Sequence, residues 1–305
     1  MGLYVLLPLV LPLSAWPAAR LTAPRLHPRT ATRLLTWVAA VMGGCSTLCL
    51  ALLTVVGAAE LTGGPVPDDW ADPGFRSAVS RDRVTGRAAI PALGLVVAAC
   101  GRTLWRHRRV ARRARRALTG LRGAPVVVLP DSAPYAYALP GSRDRIVVTT
   151  ALLNGLTADE RRALFAHERA HLAARHHRHL LTVHLAACAN PLLRPLRSAV
   201  VYTAERWADE EAARAVGDRR VVARAVGKAA LLSSGAPAPH LAAVAGGPVP
   251  RRVAALLAPP PADRHRPSVR TAVGAAVWGA AAGAVVSAVL SAHSAVTLFL
   301  HLHPL

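Results

Sequence analysis

The stretch LFAHERAHLAARHHRHL (164–180) carries five histidines and one glutamate. His167 and His171 stand four apart, and Glu168 directly follows the first. Residues four apart share one face of a helix, so both imidazoles can reach a single metal ion. Glu168 then falls beside the ion rather than on it. Its carboxylate can take a proton from an attacking water and later return it, while zinc lowers the pKa of that water. The pattern is HExxH. Two protein ligands fall short of the three a catalytic zinc usually has. The best third candidate lies in AERWADEEAAR (204–214), where Glu205 and Asp209 again stand four apart. Glu205 completes a His, His, Glu set. Asp209 would accept the outer N–H of a ligating histidine and fix its tautomer. Glu210 and Glu211 point round the helix and read as a solvated acidic face, with both as reserve ligands. Tyr202, one turn before Glu205, is a candidate oxyanion donor, although packing is the simpler role. His176, His177 and His179 lie between arginines and read as an exposed basic face rather than a second metal site. His184 and His293 sit in apolar surroundings and read as core or interface residues.

The elements around these residues are legible in outline. Thr157 followed by Glu160 is a capping box, which starts a helix expected to run through the whole quoted stretch. A second helix is expected over about 198–216, with Gly217 as its C-cap. Before the first helix, APVVVLP, YAYAL (135–139) and RIVVTT (145–150) are short β-branched or aromatic runs between proline and glycine, hence strands, the last two forming a hairpin. Between the two helices, 180–203 is apolar but interrupted by Pro191, Arg194, Pro195 and Arg197, which suits a helical hairpin dipping into a bilayer face, or core. Residues 235–250 read as a loose loop.

Composition sets the wider frame. The chain is 53% hydrophobic and 17% charged, with a mean hydropathy of +0.33. That is too apolar for a plain soluble domain and implies membrane segments. The formal charge of +21 is almost all arginine, since Lys228 is the sole lysine. Apolar runs give spans at about 2–19, 34–59 and 86–105, with a fourth near 271–300. The basic loops at 20–33 and 102–122 belong in the cytoplasm, so both termini lie outside the cell membrane. The expected organisation is a membrane region at 1–119, a cytoplasmic domain at 120–265, and a last span with a short tail at 266–305. RHRRVARRARR (106–116) follows a span and lacks interleaved aromatics, so it reads as an anchor on anionic headgroups and not as a nucleic-acid binder. Cys45, Cys49, Cys100 and Cys188 form no CxxC pair and read as unpaired apolar residues.

HERAH, followed 34 residues later by ERWAD, resembles the HExxH plus ExxAD pattern of membrane zinc endopeptidases. These include the HtpX-like proteases and the beta-lactam sensor proteases of the BlaR/MecR type. YALPGSRDRIVVTTALL resembles the strand pair before the motif in the sensor type, and RRVAALLAPPP (251–261) the segment that closes its domain. The likeness covers roughly 125–261. It implies a mainly α-helical integral membrane protein, with about four transmembrane helices and a cytoplasmic zincin-like α+β domain holding a small sheet. It further implies zinc on His167, His171 and Glu205, Glu168 as base, and Asp209 as supporting carboxylate. The substrate would be a protein or peptide, bound by strand addition; a cytoplasmic repressor is the expectation. The sensors carry a penicillin-binding domain after the fourth span, whereas this sequence ends at Leu305, so a form without that domain is expected. The rival classes are a non-catalytic membrane receptor on the same fold, and a metal-ion transporter. Glu168 speaks against the first. The position of the histidines, mainly outside the spans, speaks against the second.

Overall fold

The computed structural model describes residues 7–61, 73–117, 124–141, 144–233, 248–261 and 272–302. The first apolar run is not one continuous helix where it is described. A helical turn at Leu7–Val10 passes into a 3-10 turn at Leu11–Ser14 and then into helix α1, Ala15–Arg25. Pro8 and Pro12 lack the N–H that a continuing helix needs, which accounts for the segmentation. Long helices follow: α2 over Pro28–Leu61 and α3 over Pro73–Ala117. Within them, Pro28–Val55 and Gly86–Ala117 are long and apolar enough to cross a membrane, which suggests membrane association. The expected fourth span is helical, α9 over Ala272–Leu302, but its described apolar segment, Trp278–Leu290, is shorter than a span.

The two long helices are built differently. On α2, Leu35, Val38 and Met42 are buried in a cluster with residues of α1 and α9. A Cβ on Gly43 would come within 3.0 Å of the Ala186 Cα, so glycine lets the two helix backbones approach closely without crowding. On α3, Leu95 is 73% exposed and Val97 and Trp105 are also exposed. Apolar side chains exposed on more than one side of a helix suit lipid better than water.

Strands β1 (Val126–Leu129), β2 (Ala136–Leu139) and β3 (Arg145–Thr149) form a sheet in the order β1-β3-β2. β1 runs parallel to β3, and β2 pairs with it antiparallel as the expected hairpin. Central β3 buries Ile146, Val147 and Val148, as a strand covered on both faces should. β2 is an edge. Tyr135 accepts from the Thr149 N–H, and antiparallel alternation then leaves the backbone groups of Ala136 and Ala138 facing away from β3.

Helix α4 covers Ala158–Ala173 and opens on the expected capping box. The Thr157 hydroxyl accepts from the Glu160 N–H at 3.4 Å, and the Glu160 carboxylate accepts from the Thr157 N–H at 2.9 Å. The expected helix does not run on to 180. It breaks at Arg175, whose φ of 52° lies in the left-handed region, and α5 begins anew over His176–Ala189. After a 3-10 turn at Pro191–Leu193, α6 spans Arg194–Val216 with Pro195 in its first turn. It ends at Gly217, whose φ of 80° makes the expected glycine cap. Helices α7 (Arg219–Ser233) and α8 (Val249–Leu257) close over α4 and α6 in a small apolar cluster of Ala163, Ala212, Val222 and Leu256.

Candidate metal centre

Helices α4 and α6 pack directly on one another and bring His167, His171 and Glu205 together, although more than thirty residues separate the two segments. The Nε2 atoms of His167 and His171 lie 3.1 Å apart. His167 Nε2 stands 3.5 Å from Glu205 Oε2, and His171 Nε2 stands 3.5 Å from Oε1. One ligand atom from each of the three residues lies within 4.8 Å of the others. Ligands about 2.0–2.2 Å from a tetrahedral zinc stand roughly 3.3–3.6 Å from each other, so small side-chain shifts would close the set on an ion. The group fits a metal ion on donor type as well as spacing. All three residues are buried or nearly so, and Glu205 is only 2% exposed.

The outer contacts orient these donors. Asp209 Oδ1 lies 3.0 Å from His167 Nδ1, which leaves Nε2 turned toward His171 and Glu205. One residue escaped the sequence reading, Arg252 on α8. Its Nε donates to Asp209 Oδ2 at 2.8 Å and its Nη2 to Oδ1 at 2.7 Å. Its Nη1 stands 2.9 Å from Glu205 Oε2. One guanidinium thus braces both carboxylates. Arg252 and Leu256 stand four apart on a short helix and both are buried, so an arginine occupies the apolar stripe. Arg219 in turn fastens α8, donating to the carbonyls of Ala255 and Leu256 and pairing with Glu210.

The charges follow from this geometry. Burial would lower the His167 pKa, but Asp209 and Glu205 push it up to about 10 in the metal-free protein. A proton on His167 and the charge of Arg252 together balance the two carboxylates, and a bound cation would replace that proton. Burial pushes His171 down to about 4, against the pull of Glu205, so one ring nitrogen keeps its lone pair at neutral pH. Burial raises Asp209 while Arg252 lowers it more, which holds its carboxyl well below the ordinary range. Burial pushes Glu168 up to about 7, near where a general base works best. Glu168 also accepts a hydrogen bond from the backbone N–H of Ala138, which ties the base to edge strand β2.

Several expectations about neighbours need correction. Glu210 is not on a solvated face. It is 4% exposed and bound by Arg206 at 3.2 Å and by Arg219. Its side chain is committed to bracing α8. Glu211 is only partly exposed and holds the Trp207 indole N–H at 3.1 Å and Arg214. His176 is 1% exposed, since the break at Arg175 turns it inward; His177 and His179 are half-buried. Tyr202 is buried in the apolar cluster with Arg251 over its ring at 4.6 Å, a packing position. His184 is half-buried and His293 is exposed on α9.

The sequence model of peptidase family M48 matches residues 101–187. This supports a metallopeptidase. The matched segment spans the last part of α3, the sheet, α4 and most of α5, and so includes His167, Glu168 and His171 but ends before Glu205, Asp209 and Arg252. No curated protein and no solved structure matches the chain.

Proposed function

We propose that the chain is a membrane-bound zinc endopeptidase that hydrolyses peptide bonds of a protein substrate. The observation that carries this reading is the convergence of His167 Nε2, His171 Nε2 and the Glu205 carboxylate within 4.8 Å of one another, with a second buried carboxylate, Glu168, beside them. His167, His171 and Glu205 would hold the ion. When bound, zinc supplies a Lewis acid that acidifies water and polarises the substrate carbonyl. Glu168 takes the proton of the attacking water and passes it to the leaving amine, a role its raised pKa favours. Asp209 holds the His167 ring in register, and Arg252 holds Asp209 and Glu205.

The outward backbone groups of Ala136 and the Ala138 carbonyl offer an extended peptide donors and acceptors beside Glu168, whose carboxylate already takes the Ala138 N–H. Strand addition there would bring a scissile bond to the base. The four-span layout, the cytoplasmic placement of 120–265 and a repressor substrate extend this reading from the BlaR/MecR resemblance and the arginine distribution. The test is Glu205→Ala in the detergent-purified chain. Loss of bound zinc together with loss of peptidase activity supports the assignment. Stoichiometric zinc and full activity would remove Glu205 from the ligand set.

A further inference from the structure

His176 lies outside the ligand set, yet its ring touches it. Its Nδ1 stands 2.8 Å from His171 Nδ1. In an unbroken helix, side chains five apart point about 140° apart around the axis and cannot meet this way. The contact exists because Arg175 takes a left-handed φ of 52°, the only positive φ of any non-glycine residue among those described. A bulky residue seldom adopts that conformation unless its surroundings fix it. The break ends α4 and restarts the chain as α5 with His176 turned inward, 1% exposed.

A metal ion held on His171 Nε2 would fix both tautomers. It would take the lone pair of Nε2 and leave the proton of His171 on Nδ1. That N–H needs an acceptor, and His176 Nδ1 is in place. His176 must then carry its own proton on Nε2. Nε2 of His176 is buried without a hydrogen-bond partner, and the ring packs edgewise on Trp207 with centroids 4.7 Å apart. Such a contact lets an N–H meet an aromatic face. Trp207 is itself fixed by Glu211 and flanked by Arg29 and Arg33.

We infer that His176 is a positioning residue for the metal centre, accepting the outer N–H of His171 as Asp209 faces the outer nitrogen of His167. This rests on the zinc reading above. The two supports differ in kind: an anionic carboxylate braced by Arg252 on one ligand, a neutral imidazole seated on an indole on the other. A segment that looks like a surplus of histidines is thus part of the site's geometry.

The test is zinc affinity by chelator competition on the detergent-purified full chain, for wild type, His176→Phe and His176→Asn. Phenylalanine keeps the ring against Trp207 and removes the acceptor. Asparagine places a carbonyl oxygen near the Nδ1 position. The expected result is a loss of about 10- to 100-fold in affinity for His176→Phe, with most of it restored in His176→Asn. The melting temperature of metal-free His176→Phe should match wild type, since the ring packing is kept. Wild-type affinity in His176→Phe, or an equal loss in both variants, overturns the inference. Should the phenylalanine variant not fold, His176→Asn against His176→Gln makes the same comparison, because the glutamine amide reaches the Nε2 position instead. Asparagine must then bind tighter, and equal affinities overturn the inference. If wild type itself takes up no zinc, the metal reading fails, which is a different outcome from the failure of His176 alone.

Discussion

Replacing Arg252 with methionine keeps an unbranched apolar stem and removes the guanidinium with its charge. Arg252 is 7% exposed and faces Asp209 and Glu205, which are 1% and 2% exposed. Its three contacts, at 2.7, 2.8 and 2.9 Å, would all go. In the metal-free protein only a protonated His167 would then oppose two buried carboxylates. Breaking a buried pair by removing one partner costs about 3–5 kcal/mol. The loss should not come from undocking α8, because Arg219 still holds the Ala255 and Leu256 carbonyls. Asp209→Asn removes the other side of the same pair. Since each single change leaves the other partner uncompensated, the double variant should lose less than the sum of the two, with a coupling of about 1–3 kcal/mol. The assay is denaturant unfolding in detergent near pH 7.5 with a chelator present, because a bound cation would itself neutralise the carboxylates. A loss under about 0.5 kcal/mol for Arg252→Met, or simple additivity, would refute the brace.

Three further outcomes follow from the same site and its helix. Glu168 must be ionised to act as base, and burial pushes its pKa up to about 7 in the metal-free protein, so kcat/KM should rise with pH along an acid limb at or below 7; a flat profile from pH 5 to 8 would contradict the assignment. For the capping box, Thr157→Ala should cost about 1 kcal/mol in unfolding. Burial raises Glu160, but Lys228 and the Thr157 backbone hold it below its ordinary value of 4.5. A depressed folded pKa means stabilisation present above the unfolded value and lost as pH falls through the folded one, so Glu160→Gln should flatten the loss of stability below about pH 4.5, and an unchanged acid limb would count against it.

What the sequence made legible was local or periodic. The four-residue spacing of His167 with His171, and of Glu205 with Asp209, needs only helix geometry, and α4 and α6 supply it. The capping box at Thr157, the cap at Gly217 and the β2-β3 hairpin follow from residue chemistry within a few positions. The misses have non-local causes. Arg252 lies 43 residues from Asp209, and among so many arginines nothing marks one as buried. Glu210 looked solvated because its partner Arg219 arrives from the next helix. The turn at Arg175 carries no glycine or proline to announce it, so His176 was placed on the wrong side of a helix that does not continue. At the N-terminus, hydropathy counted an apolar run while Pro8 and Pro12 divided it.

The central claim is that a zinc ion on His167, His171 and Glu205 works with Glu168 to hydrolyse peptide bonds. The most direct measurement is zinc content and proteolysis together, on detergent-purified wild type and Glu168→Gln. The account predicts one zinc in each and cleavage of a loosely folded protein, or of the chain itself, by wild type alone. Equal cleavage by the two, or no bound zinc in either, would contradict it.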